Sequence, residues 1–181
     1  MARSPVGLAR LLLLSECAPG AGRLRSRAGR VTGRPPPRDD GAVSRDVHGY
    51  VAGPGEGAAG HRPDVKATAA STGGALTVLE STVGEGGGPP RHVHAREDEC
   101  FSVLAGTVAV TCGDDAFQAG PDSFVFLPRG IPHAFRATGG PARLPLIAVP
   151  GGIEHYFTEI NRAGTAEEQE RAGARYGIRV V

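Results

Sequence analysis

The sequence has no tryptophan and a single methionine, and only 5% of its 181 residues are aromatic. So few aromatic residues argue against a base-stacking platform for nucleic acid. No segment approaches the roughly 20 consecutive apolar residues that a membrane-spanning helix needs, so no membrane partner is expected. The three cysteines, Cys17, Cys100 and Cys112, include no Cys-x-x-Cys pair. We interpret them as small apolar residues in a reducing compartment and expect a cytoplasmic protein.

Charge is distributed unevenly along the chain. Residues 1–38 contain eight arginines and one acid, Glu16, whereas the remainder has a net charge of −6. The acidic remainder is poorly suited to a phosphate backbone, so we expect no nucleic-acid partner. The Arg-, Gly- and Pro-rich tail, 1–42, cannot bury enough apolar surface to offset its ordering entropy, and we expect it to be disordered. A targeting segment, or translation from a later start such as the codon of Val43, are open alternatives for this tail.

Short segments rich in Val, Thr, Leu and Phe follow, separated by turns rich in Gly, Pro and Asp. The predicted strands are 75–83, 91–95, 99–104, 107–111, 116–119, 123–127, 133–138 and 143–149. Eight short strands with this punctuation predict an all-β protein, built as an antiparallel sandwich or barrel. Periodicity alone does not distinguish a jelly roll from other β-sandwiches.

The segments on either side of these strands have a different character. Residues 43–72 are Gly-rich and predict an extended arm that could add a strand to the sheet edge or to a partner. Residues 151–181 form a C-terminal segment in which Thr165 and Glu168 fit a capping box before a helix that ends near Gly177. A second short helix is predicted within 153–161.

Three histidines and one glutamate carry the candidate chemistry. His92 and His94 are two residues apart, so on a strand both imidazoles share one face. Glu99 would face the same way if the chain reverses at 95–98 and returns as the neighbouring strand. His133 begins another strand after a proline-rich turn. Converging imidazoles and a carboxylate would form a nitrogen and oxygen site for a divalent transition metal, although each residue alone fits an ordinary strand or turn position.

Two spaced motifs surround these four residues. Residues 86–106 read Gly-x5-His-x-His-x4-Glu-x6-Gly, and residues 122–133 read Asp-x5-Pro-x-Gly-x2-His. Both closely resemble the conserved motifs of the cupin superfamily, and the second is most similar to small bacterial quercetin-dioxygenase-like proteins. Two positions depart from the pattern: Asp122 replaces a glycine and Ala137 replaces an asparagine. Asp tolerates a left-handed backbone, and the position of Ala137 is not a ligand position, so neither change removes the site.

The resemblance implies a cupin double-stranded β-helix, or jelly-roll barrel, over residues 73–150. It also implies one divalent Fe, Mn, Ni, Co or Zn ion. The implied metal ligands are His92, His94, Glu99 and His133. By strand alternation, Phe101, Val103 and Phe135 would line an apolar pocket around the metal, with ordinary core packing as the competing interpretation. Gly106 would form a tight hairpin with Ala105.

The resemblance leaves more than one function open. It implies a dioxygenase-like oxidoreductase that acts on a small, aromatic or enolic molecule, with Glu99 as the catalytic proton acceptor. A non-catalytic cupin that binds a metal or small molecule, and a cupin isomerase, are the alternatives, and the fold does not decide among them. A homodimer is implied as well. His48, His61 and His155 are not expected to be ligands, although His155 lies beside two aromatic residues that could cover the barrel mouth.

Overall fold

The computed structural model describes residues 47–58 and 64–181. The predicted tail, 1–42, lies outside these residues, as do parts of the predicted arm. Strands and helices follow one another in the described chain as β1 (Val65–Ala67), β2 (Thr77–Val83), β3 (His92–His94), β4 (Asp98–Ser102), β5 (Val108–Cys112), β6 (Asp115–Ala119), β7 (Phe124–Leu127), β8 (His133–Ala137), β9 (Ala142–Val149), α1 (Glu154–Ile160), α2 (Ala166–Tyr176) and β10 (Ile178–Val180). The eight predicted strands correspond to β2 through β9.

The strands form two antiparallel sheets of five strands each. The first sheet has the order β1-β2-β9-β4-β7, and the second has the order β10-β3-β8-β5-β6. Strands that follow each other along the chain, such as β3 and β4, often lie in opposite sheets. This alternation is the double-stranded β-helix that the resemblance implied. No helix within the described ranges is long and apolar enough to cross a membrane.

The inward faces of the two sheets enclose the core. In β2, alternate residues from Thr77 to Val83 are buried, as expected for a strand with one face toward the interior. Phe101 and Phe135, from opposite sheets, pack with ring centroids 5.0 Å apart. The larger aliphatic side chains of this core are Leu79, Val83, Val103, Val108, Val110, Val125, Leu127, Leu144 and Leu146.

The C-terminal segment folds back onto the barrel. Thr165 and Glu168 form the predicted capping box at the start of α2, and Gly177 ends the helix in the left-handed conformation with φ +76°. The chain then forms β10, which pairs antiparallel with β3. The sequence analysis missed β10 because three residues directly after a helix give no periodic pattern.

Glu154 attaches α1 to the barrel. Its side chain is 1% exposed and accepts hydrogen bonds from the amides of Ala69 (2.9 Å) and Gly152 (3.0 Å) and from the hydroxyl of Thr77. Burial would raise the pKa of this carboxyl, but the hydrogen bonds from Thr77 and the amides outweigh it and lower the pKa below 4.5. The buried charge is therefore stabilised by three donors from separate parts of the chain.

Replacement of this carboxylate should weaken the attachment of α1. We expect Glu154→Gln to lower the free energy of unfolding by about 1–3 kcal/mol at neutral pH, because an amide cannot accept from all three donors. A carboxyl whose pKa is depressed by folding stabilises the fold above its unfolded pKa, and this contribution is lost as the pH falls through the folded pKa. Denaturant unfolding between pH 7 and pH 3 should therefore show a smaller loss of stability with pH in Glu154→Gln than in the wild type. Equal slopes would contradict this assignment.

Positive φ occurs in the turns at Asp122, Gly106 and Gly139, and the turn at Gly106 connects β4 to β5 in the opposite sheet instead of forming the predicted hairpin. Asp122 occupies the expected glycine position with φ +66°, so the predicted tolerance of aspartate is confirmed. Gly106 has φ +79°, and a Cβ there would lie 2.3 Å from the carbonyl oxygen of Pro141. Gly139 has φ +70°, but a Cβ there would meet no atom within 4 Å. The two glycines therefore separate the effect of backbone conformation from that of steric contact.

Substitution of these two glycines by alanine provides a matched test of the steric contact at Gly106. Gly139→Ala should lower the free energy of unfolding by about 1–2 kcal/mol, which is the cost of a left-handed backbone. Gly106→Ala should lower it by a further 1–3 kcal/mol or so, because the Cβ must also displace the backbone near Pro141. Urea denaturation monitored by circular dichroism would measure both, and equal losses would show that the contact at Gly106 relaxes freely.

Candidate metal centre

Strands β3 and β8 place the three histidines. His92 and His94 are buried on the inner face of β3, while Val93 between them faces outward. His133, the first residue of β8, lies directly opposite His92 in the antiparallel register. The shared face that the His-x-His spacing predicted is thus present, and sheet pairing brings the third imidazole to it.

Glu99 reaches this group from the opposite sheet. It is the second residue of β4, where it pairs with Leu127 and Ala148. The sequence analysis expected Glu99 to return on a strand next to β3. Instead, the chain crosses from one sheet to the other between His94 and Asp98, so Glu99 faces the histidines across the barrel. Its inward orientation was predicted correctly, although the strand arrangement was not.

The four side chains converge at one point. One ligand atom from each residue can be chosen such that all lie within 4.8 Å of one another. The Nε2 atoms of His92 and His94 are 3.0 Å apart, and Oε2 of Glu99 is 3.3 Å from Nε2 of His94 and 4.0 Å from Nε2 of His133. Each side chain is buried, with His133 fully so. A cluster of this kind is isolated from bulk water.

Backbone carbonyls fix the orientation of two imidazoles. Nδ1 of His92 is 2.9 Å from the carbonyl oxygen of Pro90, and Nδ1 of His133 is 2.9 Å from that of Ile131. A carbonyl can only accept, so Nδ1 carries the proton in each ring and Nε2 presents its lone pair to the centre of the cluster. Hydrogen bonds of this type commonly orient histidine ligands of metals.

Glu97 faces the outer nitrogen of His94 as an ion-pair partner. Its carboxylate is buried, and Oε2 lies 3.5 Å from Nδ1 of His94. The sequence analysis did not single out Glu97, because it treated the turn between His94 and Glu99 only as a reversal of the chain. A usable signal was present, since an acid three residues after a predicted ligand can reach the outer nitrogen of its ring.

The surroundings perturb the titration of the cluster. Burial lowers the pKa of His92 to about 4, with partial opposition from the carboxylate of Glu99. Burial also lowers the pKa of His94, but the carboxylates of Glu97 and Glu99 outweigh it and raise the pKa to about 9. Burial lowers the pKa of His133 as well. In the absence of a metal, a proton on His94 is therefore the favoured counter-charge for the two acids.

These residues fit a divalent transition metal. Oε1 of Glu99 and Nε2 of His133 are buried and have no hydrogen-bond partner among the described residues, which is costly unless an ion or water meets them. Three imidazole nitrogens and one carboxylate suit Fe, Mn, Co, Ni or Zn, and this donor set does not choose among them. The ligand set that the motifs implied is thus assembled in space, while metal occupancy stays a prediction.

A cavity of about 180 Å³ leads to the cluster. Apolar side chains dominate its walls. The side chains that contribute include Leu79, Val83, Phe135, Leu146, Tyr156, Phe157, Ile178 and Val180. Phe135 therefore lies where the sequence analysis expected it. Phe101 and Val103 are fully buried in the core and are not among the lining residues, because the core between the sheets extends beyond the cavity.

Comparison with known proteins finds a cupin domain within the chain. Residues 79–150 match the family model of the cupin domain. The chain is also similar to TT1209 of Thermus thermophilus, with 27% identity over 42% of this chain and 74% of that chain and a TM-score of 0.41. It is 16% identical to KdgF of a Halomonas species over 50% of this chain and 79% of that chain, with a TM-score of 0.46. It is 22% identical to a sugar phosphate isomerase of the cupin superfamily from Silicibacter pomeroyi over 41% of this chain and 50% of that chain, with a TM-score of 0.39. No curated protein sequence gives a significant match.

The family match coincides with the strands that carry the cluster. Residues 79–150 include both predicted motifs and all four candidate ligands. The similarity to the cupin domain therefore covers the part of the chain that holds the candidate site. The narrower resemblance to quercetin-dioxygenase-like proteins stays a prediction.

The metal site can be tested by removing one ligand and, separately, its outer partner. His94→Ala should abolish stoichiometric metal binding, because it removes a nitrogen from the centre of the cluster. Glu97→Gln should retain the metal but bind it about 10–100-fold more weakly, as expected when the charged partner beside a ligand's outer nitrogen is lost. Elemental analysis after dialysis and competition with a chromophoric chelator would measure both effects. The exposed His48 provides the control, since His48→Ala should behave as the wild type. Unchanged metal content in His94→Ala would refute the site.

Proposed function

We propose that the protein is a metal-dependent, dioxygenase-like oxidoreductase that acts on a small enolic molecule. The observation that supports it is the convergence of three Nε2 atoms and one carboxylate at the buried end of an apolar cavity. Such a site combines open access for a small molecule with exclusion of bulk water. The same features are compatible with a cupin that binds without catalysis, so the experiments below separate the two.

The chain would hold the metal through His92, His94, Glu99 and His133. When bound, the metal would supply Lewis acidity and a template for the substrate oxygens. The carbonyls of Pro90 and Ile131 and the carboxylate of Glu97 would keep the imidazoles in the orientation already described. The protein contribution is therefore a donor set that needs little rearrangement to bind.

Glu99 would have a second task as a proton acceptor. Its Oε1 atom is buried and has no hydrogen-bond partner among the described residues. An enol hydroxyl that enters the cavity could donate to this atom, and the carboxylate could then take the proton as the enolate forms. In this role Glu99 would touch the substrate directly, which is the catalytic assignment that the resemblance implied.

The apolar walls would protect the reaction from water. Side chains such as Leu79, Phe135 and Leu146 surround the approach to the cluster and offer no hydrogen bonds. Exclusion of water strengthens the electrostatic interactions of the enolate with its surroundings and prevents side reactions. In the overall reaction both atoms of one O₂ molecule enter the product and the organic substrate supplies the four electrons, so no separate reductant is required.

Oxygen consumption is the direct test of this function. Protein loaded anaerobically with Fe(II), Mn(II), Co(II) or Ni(II) should consume O₂ when mixed with an enolic probe such as kojic acid, and 18O₂ should label the product at two positions. Glu99→Gln should lower kcat about 10²–10⁴-fold at equal metal content, as expected for loss of a proton acceptor. Glu170 is exposed on α2, and Glu170→Gln serves as the control.

The alternatives give different results in the same experiment. Metal and probe binding without O₂ consumption by any of the metal forms would contradict the oxidoreductase and favour a binding cupin. Conversion of the probe into an isomer without loss of O₂ would favour an isomerase.

A further inference from the structure

Part of the cavity wall lies beyond the residues that match the cupin model. Among the lining residues, Tyr156 and Phe157 come from α1, and Ile178 and Val180 come from β10. All four lie beyond residue 150, where the match to the cupin model ends. The ligands thus come from the shared domain, whereas part of the surface that meets the remainder of a bound molecule comes from the appended segment.

The size of the cavity restricts what can enter. An apolar cavity of about 150 Å³ accommodates one benzene ring, so the volume of about 180 Å³ corresponds to a single six-membered ring with small substituents. A flavonol has a fused pair of rings and a third, pendant ring. With its enolic ring at the cluster, the other rings would have to displace the wall or lie outside the enclosed part of the cavity. Within this wall, Phe157 packs against both the main core and the smaller cluster around Ile153.

The charge of the cavity restricts the ligand further. None of the described residues that line it is a lysine or an arginine. Besides Glu99, the only acid among these described lining residues is Glu80, whose carboxylate is paired with Arg143 and Lys66. A metal ion would attract a chelating oxygen pair at the bottom of the cavity. A phosphate or carboxylate placed farther out would meet no cation in the lining itself, and the two cations nearby, Arg143 and Lys66, are already paired with Glu80.

We propose that the ligand of this site is an uncharged chelating molecule with one ring, and that the α1 and β10 wall excludes larger or anionic relatives. This inference rests on the proposed metal site and deepens the proposed function by naming the substrate class. Sugar phosphates and flavonols are both outside this class, the first because of charge and the second because of size.

Binding to the metal-loaded protein under anaerobic conditions tests the substrate class without requiring turnover. Kojic acid is an uncharged one-ring chelator, and comenate is its counterpart with a carboxylate in place of the hydroxymethyl group. Calorimetric titration should show that comenate and quercetin each bind at least about tenfold more weakly than kojic acid. A tenfold difference in affinity corresponds to roughly 1.4 kcal/mol of binding free energy. Equal affinity for comenate or quercetin, or no binding of kojic acid, would overturn the inference.

Trimming the wall tests the role of the appended segment. Phe157→Ala should improve quercetin affinity by about tenfold or more while kojic acid affinity changes less, because the added volume lies away from the metal. Val180→Ala, at a position that is 47% exposed, should shift the preference in the same direction with little risk to folding. Phe124, which is 63% exposed and outside the cavity lining, provides the control Phe124→Ala. Folded wall variants with unchanged preference would overturn the assignment of this wall.

The two proposals fail in different ways. If kojic acid binds selectively but no O₂ is consumed, the ligand class stands and the oxidoreductase function fails. If quercetin is oxidised rapidly by the wild type, the oxidoreductase function stands and the size limit fails.

Discussion

The register between β3 and β8 is the constraint on which the candidate site depends. His92 lies directly opposite His133, so one sheet pairing brings together residues that are far apart in the chain. A shift of one residue would turn one strand's side chains to the other face and separate the imidazoles. The register is supported on both sides of β3, because β10 pairs with its other edge and places Val180 opposite His92. The outer hydrogen bonds from Nδ1 then set the direction of the His92 and His133 rings.

The inner cluster is costly to bury without an ion, and the surrounding structure compensates for it. Glu97 and Glu99 place two buried carboxylates beside His94, and a fold with no metal balances them by holding a proton on that imidazole. A metal ion and the proton on His94 would therefore compete to neutralise the same two carboxylates. The arrangement resembles other metal centres in which ligand, outer hydrogen bond and apolar walls act as a unit.

Local pattern was sufficient to predict much of this structure. The eight strands of the barrel, the capping box at Thr165 and the shared face of His92 and His94 all follow from residue spacing over a few positions. Long-range placement was harder to predict. The crossing of Glu99 to the opposite sheet and the docking of β10 depend on how distant strands pack, which no short window contains. Phe135 lines the cavity whereas Phe101 and Val103 do not, and this could not be predicted because alternation distinguishes inside from outside but not core from cavity. The homodimer and the cytoplasmic location stay predictions.

The pairing of β10 with β3 has a consequence for the order of assembly. Synthesis proceeds from the N-terminus, so the strand that carries His92 and His94 exists long before either of its neighbours, β8 and β10. Until residue 180 has been made, one edge of this strand lacks its partner, and unpaired edges invite wrong associations. A metal ion encountered during synthesis would meet two histidines on an incomplete sheet. All four candidate ligands are present once residue 133 has been made, but β3 gains its second partner strand only with residues 178–180.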